Sequence, residues 1–380
     1  VIICSEPVGK CFTPHSSSKQ ITITQEELLC SPPMHGQYLD ISCNWVTGDY
    51  TKEQLKYYSK LVQEKVKNFE PDCVISYSPA PFLKEAFPNA LVVNSEYCIF
   101  SRKPYCESFY FDPIGQSLMS FYSHFSDEVD KNFIITPDEI NNTLALKESL
   151  NKKMRSMSPF SSFMDTCKKK FKHLVLLPLQ FSKYYVWEAN CEYKNQLDCI
   201  THILNTVPRD IGVVVTQHGE YMTLDKGTKK YLSRKHSHFI YTDAFEDYYG
   251  VSQYLLGDVD AVITVSSSVC LQSLLWDIPV ISLGKMAFKN ICDSTDLKRL
   301  RKLRINLDEN NNLEKTINSF RPPIFWKDKD LIKQQIKKWK VDDIDKFIVE
   351  VNNTERLIKK NPQISNLILN DMILEKSAQI

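Results

Sequence analysis

The sequence predicts an α/β chain built from two parallel-sheet domains, each wound with helices. Three observations lead there. Short apolar runs of strand length alternate with helical stripes, the alternation occurs in two separate blocks, and the connections are short. At 380 residues the chain has room for about two or three domains. Its 43% apolar fraction supplies cores for them.

The first block opens with Val1–Cys4 and Tyr38–Ser42, both expected as strands. Lys52–Phe69 follows as a helix, because Leu55, Tyr58, Leu61, Val62 and Val66 fall on one stripe. Pro71 and Asp72 stop it, and Cys73–Tyr77 reads as a buried strand. A short helix over Phe82–Phe87 leads to the strand Ala90–Asn94. Cys98–Pro113 reads as a long irregular loop, rich in aromatics and interrupted by Pro104. Loops of that length inside compact domains are usually functional. Helical patterns run over Gln116–Met157, and Ser156–Ser162 reads as a hinge.

The alternation then restarts. Strands are expected at His173–Leu179, Gly212–Thr216, His238–Tyr241, Asp260–Val265 and Pro279–Leu283. Helices are expected at Glu192–Val207, Lys226–Arg234, Phe245–Leu256 and Val269–Trp276. From Ser294 the chain turns polar and helical, with no further strand. Two Rossmann-like domains facing a central cleft, with C-terminal helices, describe the GT-B architecture of glycosyltransferases. The expected boundaries are 1–160 for an N-terminal acceptor domain, 161–325 for a C-terminal donor domain and 326–380 for a helical segment.

Composition narrows the chemistry. Lys+Arg 47 against Asp+Glu 46 leaves a net charge of +1, which argues against a nucleic-acid partner. Only ten glycines are present, where average usage would give roughly 27. The sequence has no G-x-G-x-x-G fingerprint and no G-x-x-x-x-G-K-[ST] loop, so any phosphate site must be built without a glycine-rich cradle. Twelve scattered cysteines with no C-x-x-C pair read as reduced thiols in a cytoplasmic protein. No run approaches the length of a membrane span, and Val1–Cys4 is too short for a signal-peptide core. The basic clusters Lys168–Lys172 and Lys298–Lys302 read as solvated helix faces or as contacts with anionic headgroups.

Two segments carry the chemistry. In Asp260–Gly284 a buried strand runs into Ser266, Ser267 and Ser268, which open a helix. Serine hydroxyls cap helices, and free N–H groups with the helix dipole favour anions, so the serines read as a phosphate cradle or as an ordinary cap. In Gly212–Tyr221, His218 stands two residues past a strand, at the sheet edge where open α/β folds bind ligands. Its imidazole suits a departing phosphate, although a lone histidine is often structural.

These segments resemble the bacterial capsule and O-antigen Kdo (3-deoxy-manno-octulosonate) transferases, which use CMP-activated acidic sugars. The resemblance extends to Leu176–Gln180 and, in the first half, to Asn94–Pro104 and Phe109–Gly115. It implies a glycosyltransferase moving an acidic, Kdo-like sugar from a CMP donor to a polysaccharide or lipopolysaccharide acceptor. It also implies that Ser266 and Ser267 bind the nucleotide phosphate, that His218 balances charge as CMP leaves, and that Gly284 and Lys285 lie near the nucleotide. Ser268 and Glu220 are expected beside that donor site from their positions in the two segments. Two positions depart from the family pattern. Gly219 follows His218 where the family commonly has proline, and the stretch after Gln180 lacks the family's aspartate, Glu188 being the nearest acid.

Sugar transfer requires a base for the acceptor hydroxyl and stabilisation of the leaving phosphate. Glu96, Asp112, Glu188 and Glu220 are the candidate carboxylates, with Glu96 favoured as base and Asp112 also a turn former before Pro113. Arg102, Lys103 and Gln180 would meet an acidic sugar or acceptor, and Phe109, Tyr110 and Phe111 would stack on a ring. Asp258-x-Asp260 reads as a turn at the start of a strand, and no metal or other cofactor is expected. The expected partners are a nucleotide-sugar donor, a glycan or glycolipid acceptor, and the inner membrane or an assembly complex. A UDP-sugar transferase or epimerase, and a degenerate glycan-binding homologue, are the alternatives.

Overall fold

The computed structural model describes residues 1–11, 18–29, 38–97, 109–112, 114–124, 126, 136–180, 184–219, 222–276, 278–286, 289–292, 294 and 297. Arg102, Lys103, Glu220, the cluster Lys298–Lys302 and the expected helices of 326–380 lie outside them. The chain divides into two compact units, one drawn from Val1–Cys98 and Cys106–Phe121 and the other from Tyr122–Phe320.

In the first unit, β1 (Ile2–Ser5) pairs in parallel with β2 (Gln20–Ile23). A separate sheet holds β3 (Cys73–Ser76), β4 (Leu91–Tyr97) and β5 (Phe109–Asp112), with β3 parallel and β5 antiparallel to β4. The helix Lys52–Val66 starts at a capping box, in which Thr51 and Gln54 satisfy each other's backbone N–H groups. Val62 and Val66 pack with Ile21, Ile23, Leu83 and Val92.

Three expectations fail in this unit, the first being a single parallel sheet, because β1 and β2 form their own sheet and β5 runs antiparallel to β4. Tyr38–Ser42 is not a strand but the start of the helix Tyr38–Thr47. Ile41 and Trp45, one turn apart, are buried, and Trp45 lies 4.9 Å from Tyr50 and 5.5 Å from Tyr58 between ring centroids. This aromatic cluster rewards the helical spacing over the short alternation that suggests a strand. Part of the stretch read as irregular is also β5, paired to β4 in the register Asn94↔Asp112 to Tyr97↔Phe109.

The second unit is a five-stranded parallel sheet of β6 (His173–Pro178), β7 (Ile211–Thr216), β8 (Phe239–Ile240), β9 (Ala261–Thr264) and β10 (Val280–Ser282). The strand order is β10-β9-β6-β7-β8. All six residues of β7 and all four of β9 are buried, which explains their continuous apolar runs. Phe245–Leu256, expected as one helix, is a 3₁₀ turn at Asp243–Asp247 and a helix at Val251–Leu255, broken where Gly250 takes a left-handed φ of 69°. The helix Tyr185–Asn190 has no counterpart in the sequence reading.

At the amino edge of this sheet Asp260 accepts a hydrogen bond from the Leu174 N–H, and Lys168 pairs with Asp258 at 2.5 Å. Asp260 therefore ties the starts of β9 and β6 together, and Asp258 holds the end of the helix Ser161–Lys170.

His236 and His238 are buried nearby, 5.9 Å apart between ring centroids. Burial, then Lys235 and Arg209, hold His236 below its ordinary pKa. Burial, then His236 and Arg209, lower His238 against a raising contact from the Leu204 backbone. Because the unfolded histidines bind protons at higher pH than the folded ones, stability is full above about pH 6.5 and falls as pH drops below it. Thermal denaturation from pH 7.5 down to pH 5 should show this loss, bounded at about 1.4 kcal/mol per pH unit for each histidine. A His238→Phe variant whose pH dependence matches the parent's would refute the assignment.

Candidate functional site

The strand order places a topological switch point at the carboxyl ends of β6 and β9. The chain leaves β6 toward β7 and β8 on one side, then returns to place β9 and β10 on the other. Open α/β sheets bind ligands in the crevice this creates. Four of the residues singled out from the sequence stand along this edge. Gly284 follows β10, Ser266 follows β9, Gln180 follows β6 and His218 follows β7. With neighbouring strands about 4.8 Å apart, the strand ends carrying Ser266 and His218 are about 10 Å from each other.

The serine turn differs in detail from its expected form. The helix Val269–Leu275 starts one residue after Ser268, which adopts an αR backbone and makes no side-chain cap. Thr264, the last residue of β9, holds the turn by accepting the Ser267 N–H at 2.9 Å. Ser267 Oγ accepts the Val269 N–H at 3.4 Å. Ser266 Oγ is buried and has no hydrogen-bond partner among the described residues. A buried hydroxyl left in that state requires an explanation, and a ligand is one.

Gly284 is required by close approach. A Cβ there would overlap the Val265 carbonyl oxygen and sit 2.9 Å from that of Asn190. The Lys285 N–H donates to the same Asn190 carbonyl at 2.6 Å, tying the loop after β10 to the end of Tyr185–Asn190. Glu188 lies on that helix, half-buried. The Lys285 ammonium is exposed, 3.9 Å from the exposed carboxylate of Glu192, a weak pair.

His218 is half-buried and meets Tyr249 edge-on, 6.4 Å between ring centroids. Its loop is closed at the base by Gln217, which is buried. Gln217 Oε1 accepts the Leu224 N–H at 2.5 Å, and Nε2 donates to Tyr241 Oη at 2.7 Å. Tyr241 in turn donates to Glu246, which also accepts from Lys229 at 2.6 Å. Burial and the Glu246 hydrogen bond push the Tyr241 phenol up to about 12. Burial works against the Lys229 ammonium, but hydrogen bonds to Asp243 and Glu246 outweigh it and raise its pKa. Thr223 Oγ1 donates to the Gln180 carbonyl at 2.9 Å, joining the loops after β6 and β7. Sequence reasoning missed this network because its members lie 5 to 43 residues apart with no spacing rule to connect them.

The remaining candidates lie in the first unit. Glu96, on β4, is half-buried and its Oε1 accepts the Tyr97 N–H at 3.1 Å. Asp112 ends β5, fully buried, and its oxygens accept the N–H groups of Ile114, Gly115 and Phe121 at 2.8–3.0 Å. Those contacts make it an organiser of the loop it starts. Phe111 is half-buried on β5, which also contains Phe109 and Tyr110.

Residues 121–312, half of the chain, match the family described as Capsule polysaccharide biosynthesis protein. The chain belongs to that family. The match covers all five strands of the second sheet, and with them Gln180, His218, Ser266 and Gly284 of this capsule-biosynthesis protein. No curated protein matches it.

Among solved structures, it is similar to Thermosulfurimonas dismutans KpsC, a β-Kdo 2,7 transferase, at 13% identity and a TM-score of 0.43, over 74% of this chain and 87% of that one. The KpsC β-Kdo 2,4 transferase of the same organism gives 14% and 0.39, over 65% and 78%. The wall teichoic acid polymerase TagF gives 16% and 0.26, over 52% and 50%. No helix among the described residues is long and apolar enough to cross a membrane.

Proposed function

We propose that this capsule-family protein is a glycosyltransferase of the GT-B kind, transferring an acidic, Kdo-like sugar from a CMP donor to a growing surface glycan. One observation carries the reading. At the switch point of the second sheet, where a ligand is expected, the Ser266 hydroxyl is buried without a partner among the described residues. His218, the charge-balancing group, stands two strands away on the same edge.

The transfer breaks the bond between the anomeric carbon and a phosphate oxygen, and the acceptor oxygen forms the new bond. The leaving phosphate gains negative charge. Hydroxyl donors at Ser266 and Ser267 and a proton on His218 would stabilise it. The acceptor hydroxyl loses its proton to a base. This scheme uses no metal and no cofactor besides the donor. Buried thiols at Cys167, Cys199 and Cys270 suit a reducing cytoplasm, where we place the reaction, in peripheral contact with the membrane or an assembly complex.

The test is a thermal-shift titration. CMP at about a hundred times its Kd should stabilise the protein by about 2.7 kcal/mol, a rise of several degrees, and UDP should not. His218→Ala and Ser266→Ala should each abolish the rise while leaving the unliganded Tm within about 2 °C of the parent's. A response to UDP-sugars alone would overturn the donor assignment. Glycan binding with no turnover of any CMP-sugar would overturn the enzymatic one.

A further inference from the structure

Tyr249 is an aromatic residue held rigidly yet left open to solvent. Its ring lies directly on Gly219, where a Cβ would come within 2.5 Å of Tyr249 Cδ2 and 3.3 Å of its Cα. The next residue, Gly250, takes the left-handed conformation that turns the chain into the helix Val251–Leu255. Ser252 on that helix is hydrogen-bonded at 2.7 Å to Thr216, the last residue of β7. Tyr249 is thus fixed from both sides to the strand end that positions His218, and it is still 44% exposed. Its neighbour Tyr248 packs edge-on against Phe160 and Tyr254, whereas His218 is the ring that Tyr249 meets among the described residues.

We propose that Tyr249 is a binding residue of the donor site, presenting its ring to the nucleobase of the nucleotide whose phosphate lies near His218. The proposal rests on the donor reading above. The 6.4 Å between the two rings is of the order that one ribose puts between a phosphate and its base. A tyrosine pinned at its backbone and open at its ring loses little freedom on binding a flat partner. The same packing accounts for glycine after His218. Any side chain at position 219 would occupy the space of the tyrosine ring.

Calorimetric titration of the full chain with CMP, and with ribose 5-phosphate as the ligand lacking a base, tests this. Tyr249→Phe should bind CMP as the parent does. Tyr249→Ala should bind it about tenfold or more weakly, with the affinity for ribose 5-phosphate unchanged. Gly219→Ala, which displaces the ring, should reproduce the Tyr249→Ala loss, and the double variant should bind no worse than either single one. Equal weakening toward both ligands, or none, in Tyr249→Ala would overturn the proposal and leave the donor reading intact. If the parent binds no CMP, the donor reading and the proposal fall together.

Discussion

Asp112→Ala is expected to destabilise the first unit by about 3–5 kcal/mol, the cost of removing one member of a buried, charge-assisted cluster. Three backbone N–H groups, of Ile114, Gly115 and Phe121, lose their acceptor at once. None of them can turn to another strand, because β5 ends at Asp112 and the loop beyond it is buried at Ile114, Gly115 and Gln116. Lys84, which donates to the Ile114 carbonyl at 2.8 Å, would also lose the nearby carboxylate that favours its charge.

Asp112→Asn retains one acceptor oxygen, so its cost should be clearly smaller. Burial pushes the Asp112 carboxyl up to about 6 against the pull of its three N–H contacts. Folding therefore favours the protonated form. This contribution is complete below the unfolded pKa near 3.8 and is lost as pH rises through 6. The penalty of Asp112→Ala should accordingly be larger at pH 5 than at pH 8, as measured by chemical denaturation. A penalty under about 1 kcal/mol at both pH values would show that the loop does not depend on the carboxylate.

Gly284→Ala is expected to cost about 3 kcal/mol or more in the second unit and to lower its Tm by about 6–12 °C. The added methyl would meet backbone on two sides, at Val265 and Asn190, together with Val265 Cγ1 at 2.8 Å. Side chains can swing away from such a contact. Strand β9 and the end of Tyr185–Asn190 cannot do so without disturbing β9's pairing with β10 and the hydrogen bond from Lys285 to Asn190. Since Val265 directly precedes Ser266, the displacement should also weaken the CMP response. A variant with the parent's Tm would mean that the loop after β10 yields without strain.

Elements set by local periodicity lie where the sequence predicts them, and those set by distant contacts do not. Lys52–Val66, the buried strands β6, β7 and β9, and the helix Gln196–Thr206 follow from local periodicity and end near the expected residues. Tyr38–Thr47 does not, because a four-residue alternation is too short to compete with a cluster formed by Trp45, Tyr58 and Phe82, up to 37 positions apart. The serine turn was legible as a strand end rich in hydroxyls. That Thr264 shapes the turn, while Ser268 caps nothing, depends on backbone angles that residue types do not reveal.

For this protein, sequence alone determined that the chain is α/β, that it lacks glycine-rich phosphate loops, and that His218 and Ser266 follow strand ends. Those features are local, set by apolar period and residue type over a few positions. Tertiary structure decided the strand order, and with it that Ser266, Gln180 and His218 share one edge around a switch point. It also placed Tyr249 against Gly219 and linked Gln217 to Glu246 through Tyr241. The reason is physical. Strand order and ring contacts are selected by burial among segments 30 to 90 residues apart, and no short-range pattern encodes which buried surfaces will meet.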